Sequence, residues 1–172
     1  GVQVAYKRNR NLREILCRAK LPVINNNPRP KRKQVGWKTC DRNCVSCVHS
    51  TNKKQFKSFA TGHTYDIPQF ITCTDTNIIY VVECRKCGKQ YVGKTTNSFK
   101  SRMSAHRSAI GRSASSLARH FEGPGHSSSD FLAFAIEKVI GGDVFTLGAR
   151  ERMWIDRLDT ISRGLNTNRT HK

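Results

Sequence analysis

Apolar positions are scattered through the first 76 residues and then settle into regular periods. Residues 77–82 (N-I-I-Y-V-V) and 90–95 (Q-Y-V-G-K-T) are β-prone runs separated by Cys84-Arg85-Lys86-Cys87-Gly88, which predicts a hairpin. A helix is expected next, capped by Asn97 or Ser98 and running to about Gly111, followed by a shorter one over 115–121 ahead of the turn Gly123-Pro124-Gly125. Residues 131–140 set Leu132, Phe134 and Ile136 on one side and predict a third strand, although Ala133 and Ala135 also suit a helix. Past Gly141-Gly142, the positions Ala149, Met153 and Trp154 predict a last helix over 148–159, and Gly164-Leu165-Asn166 closes the segment. The fold class expected is α/β (α+β), a small three-stranded antiparallel sheet flanked by helices.

The earlier residues read differently. Leu12, Ile15, Leu16 and Ala19 recur at helical spacing among Arg and Lys, predicting a basic amphipathic helix over 5–20 that docks on a neighbouring domain or touches nucleic acid. Residues 22–34, with Pro28 and Pro30 inside a Lys/Arg cluster, cannot build a core and read as an extended linker, with a nuclear import signal or a phosphate-tracking arm as other uses of the charge. Residues 37–73 are rich in cysteine and loops, with few apolar residues beyond Phe56, Phe59, Tyr65, Ile67 and Phe70, so they need a staple. Three parts follow: basic helix and linker over 1–36, a cysteine-rich zinc-binding segment over 37–75, and a domain over 76–172.

Charge narrows the partners. The 172 residues carry 31 Lys and Arg against 12 Asp and Glu, a net charge of +19, which points to a polyanion whose counterions are released on binding. No run approaches the roughly 18 apolar residues of a membrane span, so membrane insertion is not expected. Seven cysteines without a secretory leader suggest a reducing compartment, where close Cys pairs hold metal more often than they form disulfides. The chain opens on Gly1 and reads as a piece of a longer polypeptide.

Two groups have ligand spacing. Cys84-x2-Cys87 sits at the hairpin tip, where both thiolates can reach one Zn²⁺, and His120 and His126 across the Gly-Pro-Gly turn are the best candidates to complete a Cys2His2 set. By default His120 would simply sit at a helix C-terminus. Cys40-x3-Cys44-x2-Cys47 supplies three more thiols, with Cys73 as the expected fourth ligand and His49 and His63 as rivals. Both zinc sites are expected to be structural. Cys17, alone on the first helix, reads as a small apolar residue.

Ile79-Tyr80, Tyr91-Val92-Gly93, Arg102-x3-His106, Glu151 and Asn166, in that order, resemble the GIY-YIG endonuclease family over about 77–166. With its inserted cysteines and the cluster beginning at Cys40, the chain looks like the version attached to the reverse transcriptase of Penelope-like retrotransposons. Two positions depart from the family pattern, since Ile78-Ile79-Tyr80 lacks the leading Gly and Val92 replaces Ile. The resemblance implies a catalytic set of Tyr80, Tyr91, Arg102, His106, Glu151 and Asn166. In it Tyr80 is the base, Tyr91 positions water or phosphate, and Glu151 is the sole carboxylate ligand of Mg²⁺ or Mn²⁺. Asn166 orients the site from the chain end. Arg102 and His106, four apart, share one helix face, where a guanidinium can grip phosphate and an imidazole can assist proton transfer. A phenol with a reference pKa of about 10 is a poor base unless nearby cations lower it, and Lys and Arg are plentiful here.

The resulting expectation is a Mg²⁺-dependent DNA endonuclease acting in the nucleus. It would nick target DNA to prime reverse transcription, with element RNA and an attached reverse transcriptase as further partners. Two other functions fit the charge and cysteines: a noncatalytic zinc-containing nucleic-acid-binding module, and a structure-specific DNA repair nuclease. An interaction domain docking a polymerase is a weaker third.

Overall fold

A computed structural model describes residues 1–7, 9, 11–12, 34–40, 44–112, 115–141 and 143–167. Most of the basic helix expected over 5–20 and all but residue 34 of the linker expected over 22–34 lie outside these residues, as does Cys17. The chain divides into two units, 1–33 and 34–172, and every candidate site residue belongs to the second.

The second unit is organised around one strand. β5 (Ile78–Cys84) has six of its seven residues buried and lies between β6 (Gln90–Thr95) and β7 (Phe131–Lys138), both antiparallel to it. Such a run, apolar on both faces, is what a strand covered on both sides requires. Residues 131–138 therefore form a strand, and the helix that Ala133 and Ala135 also allowed does not form, because both alanines are buried against β5. The β5–β7 register slips between Ile79 and Tyr80, where Glu137 and then Ala135 are the successive partners. A bulge of this kind bends a strand and re-aims the side chain beside it.

Three helices flank the sheet. α1 (Phe99–Ala109) begins at Ser98, whose hydroxyl accepts from the Ser101 N–H, and buries Phe99 and Met103. α2 (Ser116–Glu122) is capped by Ser115 in the same way and buries Leu117, Ala118 and Phe121. α3 (Val144–Leu158) starts at Asp143, several residues earlier than the apolar period suggested, because the carboxylate of Asp143 accepts from the Thr146 N–H and opens the helix there. The expected three-stranded antiparallel sheet flanked by helices is the architecture observed.

Residues 34–75 form two small ribbons. β1 (Gly36–Lys38) runs parallel to β4 (Phe70–Thr72), and β2 (Gln55–Lys57) pairs antiparallel with β3 (Thr64–Asp66). Trp37, Phe56, Ile67 and Ile71 are buried in the same cluster as the sheet residues, so this segment shares the core of the sheet. Both edges of the main sheet are closed by side-chain amides. On β6, Asn166 accepts from the Val92 N–H at 2.8 Å and donates to the Val92 carbonyl at 2.9 Å. On β7, Gln69 makes the same pair of bonds with Lys138, at 2.7 and 2.8 Å. Each amide takes the place of one residue of a further strand and blunts an edge open to unwanted pairing.

Candidate active site

Tyr80 on β5 faces Gly93 directly across the β5–β6 ladder, and Tyr91 stands two residues from Gly93 on the same face. A Cβ at position 93 would lie 2.6 Å from Tyr80 Cζ and 2.9 Å from Tyr91 Cε1, so only glycine leaves room for both phenols to cross β6. Their ring centroids are 6.5 Å apart.

α1 lies over this face and delivers Arg102 and His106, one turn apart. Arg102 Nε donates to the Tyr80 oxygen at 3.0 Å, and that oxygen is 2.6 Å from His106 Nε2. With the guanidinium as donor, the phenol is left to donate its own proton to the imidazole. His106 also packs edge-on against Tyr91, at a centroid distance of 5.9 Å. Burial pushes both phenols above the usual tyrosine range, and the cationic Arg102 acts against that rise.

The other half of the site comes from the opposite face of β6, where Lys94 points toward α3. Lys94 Nζ is 3.2 Å from Glu151 Oε2, and Gly148, one turn before Glu151, leaves space for the ammonium because a Cβ there would sit 3.1 Å from it. Glu151 is only 4% exposed, so its carboxylate is held by the fold rather than free to sample solvent.

The two halves meet in an open cavity of about 470 Å³ lined by Tyr91, Arg102, Lys94 and Glu151 among others. A second cavity of about 410 Å³ shares Tyr91 and Arg102 and adds His106. Tyr80 lines neither: its side chain is fully buried, and the phenol facing both cavities is Tyr91. Glu151 is nonetheless close enough for its charge to act on Tyr80, Tyr91 and Arg102 together. The structure therefore brings five of the six expected residues into one neighbourhood. Asn166 stands apart, bonded to the backbone of Val92 between Tyr91 and Gly93 on β6, where it holds the strand.

Spacing and charge alone do not single out Lys94. Its signal was present, as a lysine immediately after Tyr-Val-Gly on a strand, but only its pairing with an acid 57 positions later separates it from an ordinary solvated lysine.

Two further groups of side chains converge. Cys84, Cys87, His120 and His126 place one ligand atom each within 4.8 Å of one another, with Cys84 Sγ 3.4 Å from His126 Nδ1 and Cys87 Sγ 3.5 Å from His120 Nε2. Gly88, at φ +75°, turns the chain so that its N–H bonds the Cys84 carbonyl and the two thiols face the same way. Cys40, Cys44, Cys47 and Cys73 form the other group, within the same 4.8 Å limit, and neither His49 nor His63 belongs to it. Tetrahedral Zn²⁺ with thiolates at about 2.3 Å sets sulfurs roughly 3.8 Å apart, so both groups have the size and chemistry such an ion takes. In the second group burial acts to raise the Cys44 thiol, but the backbone N–H groups of Cys47 and Ser46 outweigh it and bring the thiol down to about 7, toward the thiolate a metal needs.

The structure is similar to two solved ones. The first is a point mutant of the catalytic domain of intron endonuclease I-TevI, at 22% identity and TM-score 0.49, covering 56% of this chain and 98% of that one. The other is the catalytic domain of homing endonuclease I-TevI, at 23% identity and TM-score 0.47, covering 54% of this chain and 99% of that one. No curated protein matches the sequence at a significant level. The model of the GIY-YIG catalytic domain matches residues 76–166, more than half of the chain and all of the strands and helices that carry the tyrosines, Arg102, His106 and Glu151. On that match the chain belongs to the GIY-YIG family.

Proposed function

We propose that the domain is a Mg²⁺-dependent DNA endonuclease that nicks one strand. The observation that carries this reading is an open cavity where Tyr91 and Arg102 from one face of β6 meet Lys94 and the buried carboxylate of Glu151 from the other, with Tyr80 hydrogen-bonded to Arg102 and His106. Hydrolysis of a phosphodiester needs a proton acceptor for water, charge compensation at phosphorus and relief of charge on the leaving oxygen.

Tyr91, at the cavity wall, orients the attacking water. Tyr80, buried inside that wall, and His106 act as one proton acceptor: the water's proton goes to the Tyr91 oxygen, the Tyr91 proton to the Tyr80 oxygen, and the Tyr80 proton to His106 Nε2. A bare phenolate is avoided, which matters because burial opposes one. Arg102, already aimed into both cavities, compensates the negative charge building on the phosphate.

The cavity also fits the metal that the family implies. Glu151 is a single firmly held carboxylate facing an open space, which suits an ion that keeps several waters and takes one or two carboxylates with phosphate. When bound, magnesium supplies Lewis-acid stabilisation of the phosphoryl and leaving oxygens. Lys94 holds the Glu151 carboxylate in place and adds a positive charge beside the phosphate.

One active site per chain cuts one strand per engagement. The cysteine-bearing additions around the catalytic domain support a Penelope-like element as its source. In that setting the exposed 3′-hydroxyl primes reverse transcription of element RNA by an attached polymerase in the nucleus. Zn²⁺ is the ion we assign to both four-ligand groups, with a structural role.

Supercoiled plasmid incubated with magnesium tests the chemistry. Wild type converts it to open circle while Tyr80→Phe and Glu151→Ala do not; equal nicking by all three overturns the mechanism, and none by wild type leaves a binding module. A strong preference for flaps or junctions over plain duplex would point to repair instead of retroelement insertion.

A further inference from the structure

We infer that the second cavity is a subsite for the phosphodiester adjoining the scissile one, with Arg119 of α2 as its phosphate contact. This rests on the nuclease reading and extends it along the substrate strand. Tyr91 and Arg102 are walls of both cavities, so the second cavity, lined by α2, adjoins the one beside Glu151. A strand whose phosphate sits at Arg102 therefore has its next backbone unit in a groove that already exists.

The chemistry of that groove suits a phosphate and not a second metal. Its polar lining comprises Arg102, Arg119, Ser115, Ser116 and His106, together with Thr167, and among the described residues no carboxylate contributes. The first cavity, by contrast, includes Glu151. Guanidinium and hydroxyl groups are the usual partners of backbone phosphates, which position a strand without reading its bases.

Arg119 is also held where it can do this. Leu117, Ala118 and Phe121 bury the inner side of α2, which leaves Arg119 exposed at the groove. The next residue, His120, belongs to the four-ligand group with Cys84, Cys87 and His126, so the helix is tied to the hairpin tip at the position beside Arg119. Among the described residues no acid pairs with Arg119, and the one carboxylate on its helix, Glu122, accepts from the Gly111 N–H instead.

The test compares Arg119→Ala and Arg119→Lys with wild type and with Arg163→Ala, an equal loss of charge at a residue bonded to Ala60. Binding to a duplex oligonucleotide without added magnesium is measured from low to moderate salt, and nicking of plasmid gives KM and kcat. For Arg119→Ala the slope of log affinity against log salt becomes shallower by about one. KM rises about tenfold and kcat stays within about twofold, with zinc content and circular dichroism unchanged. Arg119→Lys restores the slope, and Arg163→Ala leaves it as in wild type. An unchanged slope, an equal change in Arg163→Ala, or a fall in kcat at constant KM overturns the subsite. Absence of nicking by wild type overturns the nuclease reading separately, and the salt slopes still decide whether Arg119 meets a phosphate.

Discussion

The hydroxyl of Tyr80 lies 2.6 Å from His106 Nε2 while accepting a hydrogen bond from Arg102, so one buried oxygen joins the central strand to two residues of the first helix. If the phenol and imidazole move one proton between them, their losses overlap. Tyr80→Phe and His106→Ala should each lower the single-turnover nicking rate by about 10²–10⁴, and the double variant should be little worse than either alone. Multiplying losses in that double variant would show that the two act independently.

Glu151 and Lys94 give a different signature. Glu151→Gln keeps the shape of the side chain but removes its charge, and is expected to abolish nicking at any magnesium concentration. Lys94→Ala frees the carboxylate and is expected to lower the rate by about 10-fold to 100-fold while retaining metal-dependent nicking, a range of about 1.4–2.7 kcal/mol. Titrating magnesium against rate for each variant distinguishes a metal-binding carboxylate from a merely structural ion pair, since a structural pair would make both variants equally defective.

Gly93 is a steric requirement. Gly93→Ala puts a methyl against both tyrosine rings and should cost about 1–3 kcal/mol of stability by overpacking. Activity should fall further than the folded fraction, because the rings are displaced from Arg102 and His106. Chemical denaturation beside a nicking assay reads both effects.

Zinc analysis addresses the two four-ligand groups. Purified protein is expected to hold two zinc ions per chain if both groups are filled, and Cys44→Ser and Cys87→Ser should each lose about one. Equal loss of both ions from either variant would mean that the sites depend on one another for folding, and no bound metal in wild type would remove the assignment.

Asp75 links stability to pH. Burial works to raise its carboxyl, but the Lys138 ammonium and the N–H and hydroxyl of Thr72 outweigh it and hold the carboxyl below the usual aspartate range. A depressed carboxyl stabilises the fold at pH above its unfolded pKa, and that contribution disappears as pH falls through the lower, folded value. Asp75→Asn should therefore cost about 1–2 kcal/mol at pH 7, judged from the charged hydrogen bonds lost. The difference from wild type should shrink below about pH 3.8 in thermal melts.

Much of this protein could be read from residue order because the signals are local. Two apolar runs around a Cys-x2-Cys turn make the hairpin, and the serines at 98 and 115 start their helices with hydrogen bonds to backbone only three residues on. The apolar period begins later than the last helix itself because the first turn carries exposed Val144 and Phe145, which break that period even though Asp143 caps the helix ahead of them.

Period, charge and short spacings along the chain specify the hairpin, the capped helices, the basic character and which residue types could perform phosphoryl chemistry. Folding in three dimensions sets Tyr91 rather than Tyr80 against the cavities, pairs Lys94 with Glu151, joins Cys73 to Cys40, Cys44 and Cys47 ahead of His49 and His63, and puts Asn166 on a strand edge. Those outcomes depend on which faces of separate elements come together, and a bulge beside Tyr80 or a missing side chain at Gly93 shifts such contacts by ångströms without leaving a periodic trace in the chain.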